Sequence, residues 1–493
     1  MSECESSLSV TQVPSGSLWR RHVLKAAVAS AVGTIALALP ASGLSAPAPR
    51  HSRPPATPPG TLTQLPGSSG CLVDRATPRR GCHPVRALRG PGPLLGSHAA
   101  ALSPDGNNLY VASARSGAIA VFGRNRTTGQ LNQAPGPAGC VAAGRAAGCG
   151  PAVGLAAPNS VAVSADGNNV YATSAKGSSV TIFRRNRTTG ALTQLPGVAG
   201  CVASTATPGC ASARALNGPD AVGVSPDGRN VYVAAFLGKA VLAFARDGST
   251  GALTQLQASS GCIAAASSAG CASGLALNAP EGLAISADGA SVYVAAALSS
   301  AIDVLTRNPA TGALTQATDG TGCLTSTPLI GCGTARALRG SDAVAISADD
   351  RTVYVTAGIS QSIAMFNRAP GSGKLTQPAG ASGCVMNVLA ASCSPGRKLL
   401  DPEGLAVSPD GANLYATAFL SGALDTFDRQ PSTGALMQKP GRAGCVVTTP
   451  RRDCTPGRGG MHGVSSVVLS PDNKYLYAVA NVSNSITVFS VAR

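Results

Sequence analysis

Aromatic residues are scarce: Phe, Trp and Tyr make up 3% of the 493 residues, and the single tryptophan is Trp19. Sugar and single-stranded nucleic-acid binders need ring faces for stacking, so no nucleic-acid partner is expected. Of five histidines only His83, His98 and His462 follow residue 51, which leaves few general bases. Acids are outnumbered 22 to 38 by Lys and Arg, for a net charge of +16; that balance suits an acidic partner or surface, and equally a solubilising exterior. No Gly-x-Ser-x-Gly elbow and no Gly-rich phosphate loop between strand and helix occurs.

What the chain has is a period. The leading cysteines Cys71, Cys140, Cys201, Cys262, Cys323, Cys384 and Cys445 are spaced by 69 residues once and then by 61. Each has a second cysteine shortly after it, at Cys82, Cys149, Cys210, Cys271, Cys332, Cys393 and Cys454. A fixed period of this size marks a repeat architecture. The neighbours form seven local pairs: Cys71–Cys82, Cys140–Cys149, Cys201–Cys210, Cys262–Cys271, Cys323–Cys332, Cys384–Cys393 and Cys445–Cys454. Zinc is excluded because no pair has two further Cys or His ligands nearby. Disulfides are the consistent reading, and they persist in oxidising compartments.

The N-terminus agrees. Arg20-Arg21-His22-Val23-Leu24-Lys25 resembles a twin-arginine export motif, and the apolar run 26–39 follows it, with small residues to Ala46. Fourteen residues are too short for a spanning helix. Residues 1–46 are therefore read as a cleaved signal, 47–60 as a Pro-rich linker, and 61–493 as the folded domain, with no transmembrane helix after cleavage.

Each repeat reads as four strands. In the second, residues 160–164, 169–174, 179–184 and 191–195 are short, β-branched runs separated by Asp-Gly and Thr-Thr-Gly turns. Seven such repeats predict an all-β, seven-bladed β-propeller with four-stranded blades and one disulfide-tied loop per repeat. The chain begins with a lone fourth strand, 61–66, and ends on a third, 486–489. The N-terminal strand is expected to close the last blade and so remove an open edge. The Tyr residues at second-strand positions and the Phe residues of the third strands are read as blade packing.

Ser225-Pro226-Asp227-Gly228 with Tyr232-Val233, Phe244 with Arg246, and residues 250–254 (Thr-Gly-Ala-Leu-Thr) resemble the repeats of lactonase-like seven-bladed propellers, the 6-phosphogluconolactonase and carboxymuconate cyclase type. Tyr354-Val355-Thr356-Ala357 is similar to the Tyr-Val-Thr-Asn repeats of surface-layer propellers. The resemblance implies a hydrolase opening a small sugar-acid lactone, with rim His, Glu and Arg residues activating water and holding the acid. Where the family commonly places His before the first-strand run, this chain has Ala99, Ala221, Gly282, Ala343 and Gly404, with His98 displaced by one.

The residue five before each turn Ser should ring the channel mouth: His98, Asn159, Asp220, Glu281, Asp342, Glu403 and Ser465. Four consecutive acids repel. Such an arc is neutralised by Arg214, Arg336 and Arg397, each six residues before an acid, or it binds a cation such as Ca²⁺ through Asp220, Glu281, Asp342 and Glu403, or it holds a carboxyl of raised pKa. For catalysis the candidates are Glu281, Asp342, Glu403 and His98; for substrate binding, Asn159, Asp220 and the three arginines. On the opposite face Arg124, Arg126, Arg184, Arg185, Arg187, Arg246, Arg307, Arg368 and Arg429 are expected to form a basic rim. Two functions stay open: an exported lactone hydrolase, or a non-catalytic extracellular propeller presenting seven disulfide loops to a partner such as an anionic cell-surface ligand. The protein is read as a monomer in either case.

Overall fold

A computed structural model describes residues 57–90, 99–144, 148–204, 207–265, 270–387 and 392–493. The signal reading, most of the linker and His98 lie outside the described residues. The described chain forms seven sheets of six short strands each.

The second blade shows how sequence makes each sheet. Its strands are Pro158–Val163, Asn169–Ser174, Ser179–Arg185, Leu192–Gln194, Cys201–Ala203 and Ala211–Ser212. Between the first two, the Ser164 hydroxyl donates to Asp166 at 2.6 Å, and Asp166 accepts the Asn168 N–H at 3.0 Å. Gly167 closes that turn at φ +70°, a left-handed conformation in which a Cβ is strained. The second strand is buried on both faces, as expected of a strand packed between neighbouring blades.

The expected fourth strand forms as Leu192–Gln194, and the cysteine segment adds a second stretch along the same edge. Leu192–Gln194 and Cys201–Ala203 both pair antiparallel with the third strand, and a 3-10 turn at Gly197–Gly200 interrupts them. Ala211–Ser212 then adds a parallel strand to the cysteine segment. The cysteine connection is thus part of the sheet's outer edge, and the disulfide fastens its two strands. All seven expected disulfides form.

The ring closes as expected. Leu62 pairs with Val491 and Gln64 with Phe489, while Cys71 pairs with Thr487 in the same sheet. The Gly60 N–H also donates to the Ala492 carbonyl at 2.8 Å, so the end of the Pro-rich segment takes part. First strands neighbour one another round the axis, and that of the first blade meets that of the seventh.

Blades are locked together by buried arginines. Arg185 Nε donates to the Tyr110 hydroxyl at 2.8 Å, Nη1 to the Gly167 carbonyl at 3.0 Å, and Nη2 to Asp105 at 2.8 Å. Arg124, Arg246, Arg307, Arg368 and Arg429 do the same with Tyr477, Tyr171, Tyr232, Tyr293 and Tyr354. This corrects the basic rim: these six arginines are buried between blades, and of the expected set only Arg126, Arg184 and Arg187 are exposed. The six buried arginines lie at the end of the third strand with an aspartate of the preceding blade's first turn in reach, and a charge there is stabilised by being paired. Partial burial opposes ionisation of Asp105. Hydrogen bonds from Ser103, the Asn107 N–H and Arg185 outweigh it and hold the carboxyl below its ordinary range. At the seventh junction Val491 stands where the others have arginine, and the Tyr415 hydroxyl donates to Gly60 of the closing strand.

Candidate functional site

Each first strand from the second blade to the seventh opens with a slip in register, as between Pro158 and Ser160 or Pro280 and Gly282. Such a bulge leaves one residue outside the ladder and re-aims its side chain. Asn159, Asp220, Glu281, Asp342, Glu403 and Ser465 occupy these bulges, each at most 5% exposed. The arc of acids therefore exists, at one level on successive innermost strands, but it is recessed and not open to solvent.

The arc is also a seam. Asn159 Nδ2 donates to Asp220 Oδ1 at 2.5 Å and to the Pro219 carbonyl at 3.1 Å, while the Thr173 hydroxyl donates to Asn159 Oδ1 at 2.7 Å. Thr356 Oγ1 accepts the Ala343 N–H and donates to the Glu403 carbonyl, at 2.9 and 3.0 Å. Glycine follows each glutamate for a steric reason: a Cβ on Gly282 would lie 2.2 Å from the Asp342 carbonyl oxygen, and one on Gly404 2.7 Å from that of Ser465. At Gly282 and Gly404, two of the five positions compared with the family histidine, a side chain would thus meet a neighbouring backbone.

The arginines expected beside the acids act elsewhere. The Arg214 N–H donates to Gln255 Oε1 at 2.8 Å, and its Nη2 to the Ala258 carbonyl at 2.7 Å. Arg336 Nη2 donates to the carbonyls of Pro378 and Gly380, and its Nε to that of Ser392 at 3.1 Å. Arg397 reaches the carbonyls of Lys439 at 2.9 Å and Asp453 at 3.1 Å. Six residues of extended chain span about 20 Å, and here they run from one blade's outer edge in to the next blade's first strand. Each arginine is left at the outer edge, where it staples its connection to the next blade's cysteine loop.

Sequence reasoning missed Asp303 and Asp425. They lie on third strands, paired with Cys323 and Cys445, where the second and seventh blades have Thr181 and Thr487. Both are fully buried, and Oδ1 accepts from Gln316 at 2.9 Å and from Gln438 at 3.0 Å. Oδ2 of each finds no donor among the described residues. Burial pushes both carboxyls well above the ordinary range, against the weaker pull of Gln316 on Asp303, and of Arg397, Lys398 and Gln438 on Asp425. An acid at a position that repeats as Ala, Leu or Thr was the available signal.

Among the described residues no three His, Cys, Asp or Glu side chains gather as a metal site. A groove of about 600 Å³ holds His83, Arg124 and Gln130 but none of the arc. His462 is exposed on the connection into the seventh blade, with its N–H on the Ser483 hydroxyl at 2.8 Å. No helix among the described residues is long and apolar enough to cross a membrane, and seven disulfides are the chemistry of an oxidising, extracytoplasmic setting.

The family model described as lactonase, 7-bladed beta-propeller, matches residues 202–323 and 278–451, together about half of the chain. None of the curated proteins matches the sequence. Similar solved structures include a putative 6-phosphogluconolactonase of Bacteroides fragilis, at 16% identity over 69% of this chain and 81% of that one, TM-score 0.47. The periplasmic gluconolactonase of Pseudomonas aeruginosa is 18% identical over 77% and 93%, TM-score 0.46. Hydrazine synthase of Kuenenia stuttgartiensis is 16% identical over 81% and 97%, TM-score 0.47. Likenesses this distant bear on neither substrate nor mechanism. With the sevenfold sheet topology and the family match together, the chain belongs to the lactonase family of seven-bladed β-propellers.

Proposed function

We propose that this protein is an exported, non-catalytic member of its family, a propeller whose mouth face binds a partner at the cell surface. One observation carries the reading: Arg214, Arg336 and Arg397 are engaged on backbone carbonyls of the next blade, while the arc acids are at most 5% exposed. A hydrolytic site needs a base and an oxyanion donor converging on open space, and a fold by itself assigns no chemistry. Export by the twin-arginine-like segment and a monomeric state belong to the same proposal.

The family match favours a second reading, hydrolysis of a small sugar-acid lactone with Glu281, Asp342, Glu403 or His98 as base. A pH-indicator assay over gluconolactone and homoserine-lactone substrates separates the two. The binding reading expects no acid release above buffer. Turnover that disappears in Glu403→Gln or His98→Ala would replace it with the hydrolase.

A further inference from the structure

The turn between second and third strands lies on the mouth face, because second strands end where first strands begin. Its tip residue is equivalent in every blade. On five consecutive blades it is aliphatic and exposed: Leu237, Leu298, Ile359, Leu420 and Val482, at 49 to 65%. The two remaining tips are Arg115 and Lys176, also exposed. Neighbouring Arg89, Lys239 and Arg339 add exposed cations, and Leu400 another exposed aliphatic. In these turns and in the connections just ahead of the first strands the sole acid is Asp401, which is buried.

The tips are held outward by their surroundings. The Phe236 N–H donates to the Gly218 carbonyl at 2.9 Å, which pins the turn to the connection, and the Leu237 side chain lies over Gly218, where a Cβ would meet it at 2.8 Å. Ile359 covers Gly340 and Val482 covers Gly463 in the same way. Equivalent positions in a ring of equivalent blades put the tips at one level, separated by polar Ser, Asn and Gly residues.

We infer that this face docks on an anionic lipid surface, the aliphatic tips entering the headgroup boundary and the cations meeting lipid phosphates. The inference rests on the binding reading above and names its partner. Interfacial attachment needs apolar insertion together with cations at headgroup level, and both are on this face. Protein-binding hot spots are instead clusters of aromatic and arginine anchors near the centre of an interface, whereas here aliphatics stand apart on the turns of five blades. The acids of the arc lie recessed at the axis and out of the contact plane.

The test is co-sedimentation of the protein with vesicles of phosphatidylcholine alone and of phosphatidylcholine with about one third phosphatidylglycerol, at about 0.1 M salt. Partition onto the anionic vesicles is expected, about ten-fold or more weaker for the combined Leu237→Ser, Leu298→Ser, Ile359→Ser and Leu420→Ser variant. Those side chains are solvent-exposed, so folding is not at stake, and unchanged circular dichroism and unfolding midpoint check this. The chain from residue 47 onward has no tryptophan, so the fluorescence of Leu298→Trp reports that tip alone and should shift to the blue on the same vesicles. Full binding by the serine variant would mean attraction by charge alone, as to a soluble polyanion, and would overturn the inference. So would absence of partition, which would leave the face to a protein partner. Lactone turnover, in contrast, would sink the binding reading whatever the vesicles show.

Discussion

Asp303 gives the sharpest test of how this ring is held together. Its carboxyl is fully buried beside the Cys323–Cys332 connection, with one donor, Gln316, and no donor for Oδ2 among the described residues. A carboxyl whose folded pKa is raised favours folding only below its ordinary value, about 3.9, and that contribution is lost as pH rises toward the raised value. Across that window each such group removes about 1.4 kcal/mol of stability per pH unit. Asp425 adds a second group of the same sign. The six aspartates paired with buried arginines act oppositely. Their lowered pKa values give stability that is present above the ordinary carboxylate range and lost only in stronger acid. In Asp303→Thr the new hydroxyl takes the place of Thr181, which donates to the Gly154 carbonyl at 3.0 Å. Gln316 keeps its backbone acceptors at Leu275 and Gly322. Urea unfolding with disulfides intact, from pH 5 to pH 8, should show the variant more stable at pH 8 by about 1 kcal/mol or more. Its slope with pH should also be shallower. A variant less stable at pH 8 with an unchanged slope would refute this account of the buried acid.

Two further outcomes follow from the packing. Arg246→Ala removes donors to Tyr171, Gly228 and Asp166; because Asp166 is partly exposed, a loss of about 2–3 kcal/mol is expected in denaturant unfolding, and a change within about 0.5 kcal/mol would mean the junction is not locked there. Leu62→Ala hollows the buried closing strand and should cost about 2–4 kcal/mol, with faster amide exchange along 485–491; no change would mean the ring does not depend on its N-terminal strand.

Much of this was legible because repetition reads twice. The 61-residue spacing exposed the blade count, and the unmatched strands at either end exposed the closure between Leu62 and Val491. Local cysteine pairs could be read because each partner is only 9 or 11 residues away. The level of the arc followed from the same alignment of repeats. What spacing could not give was direction. Arg214 stands six residues from Asp220, yet the chain between them travels from outer edge to axis, so nearness in sequence carried no contact. Arg185 reads as a surface cation because arginine is mostly exposed, and only the neighbouring blade shows that Tyr110 and Asp105 meet it. Asp303 was passed over because an isolated acid in an apolar strand looks like an outward-facing residue until the cysteine segment is seen to cover it.

The central claim is that side chains resembling an active site are structural staples, and Arg336→Ala tests it most directly. Its guanidinium holds three carbonyls of the next blade, so truncation should lower unfolding stability by about 1–3 kcal/mol and leave lactone hydrolysis at the buffer rate before and after. Unchanged stability, together with a lactone turnover present in the parent protein and lost in the variant, would contradict it.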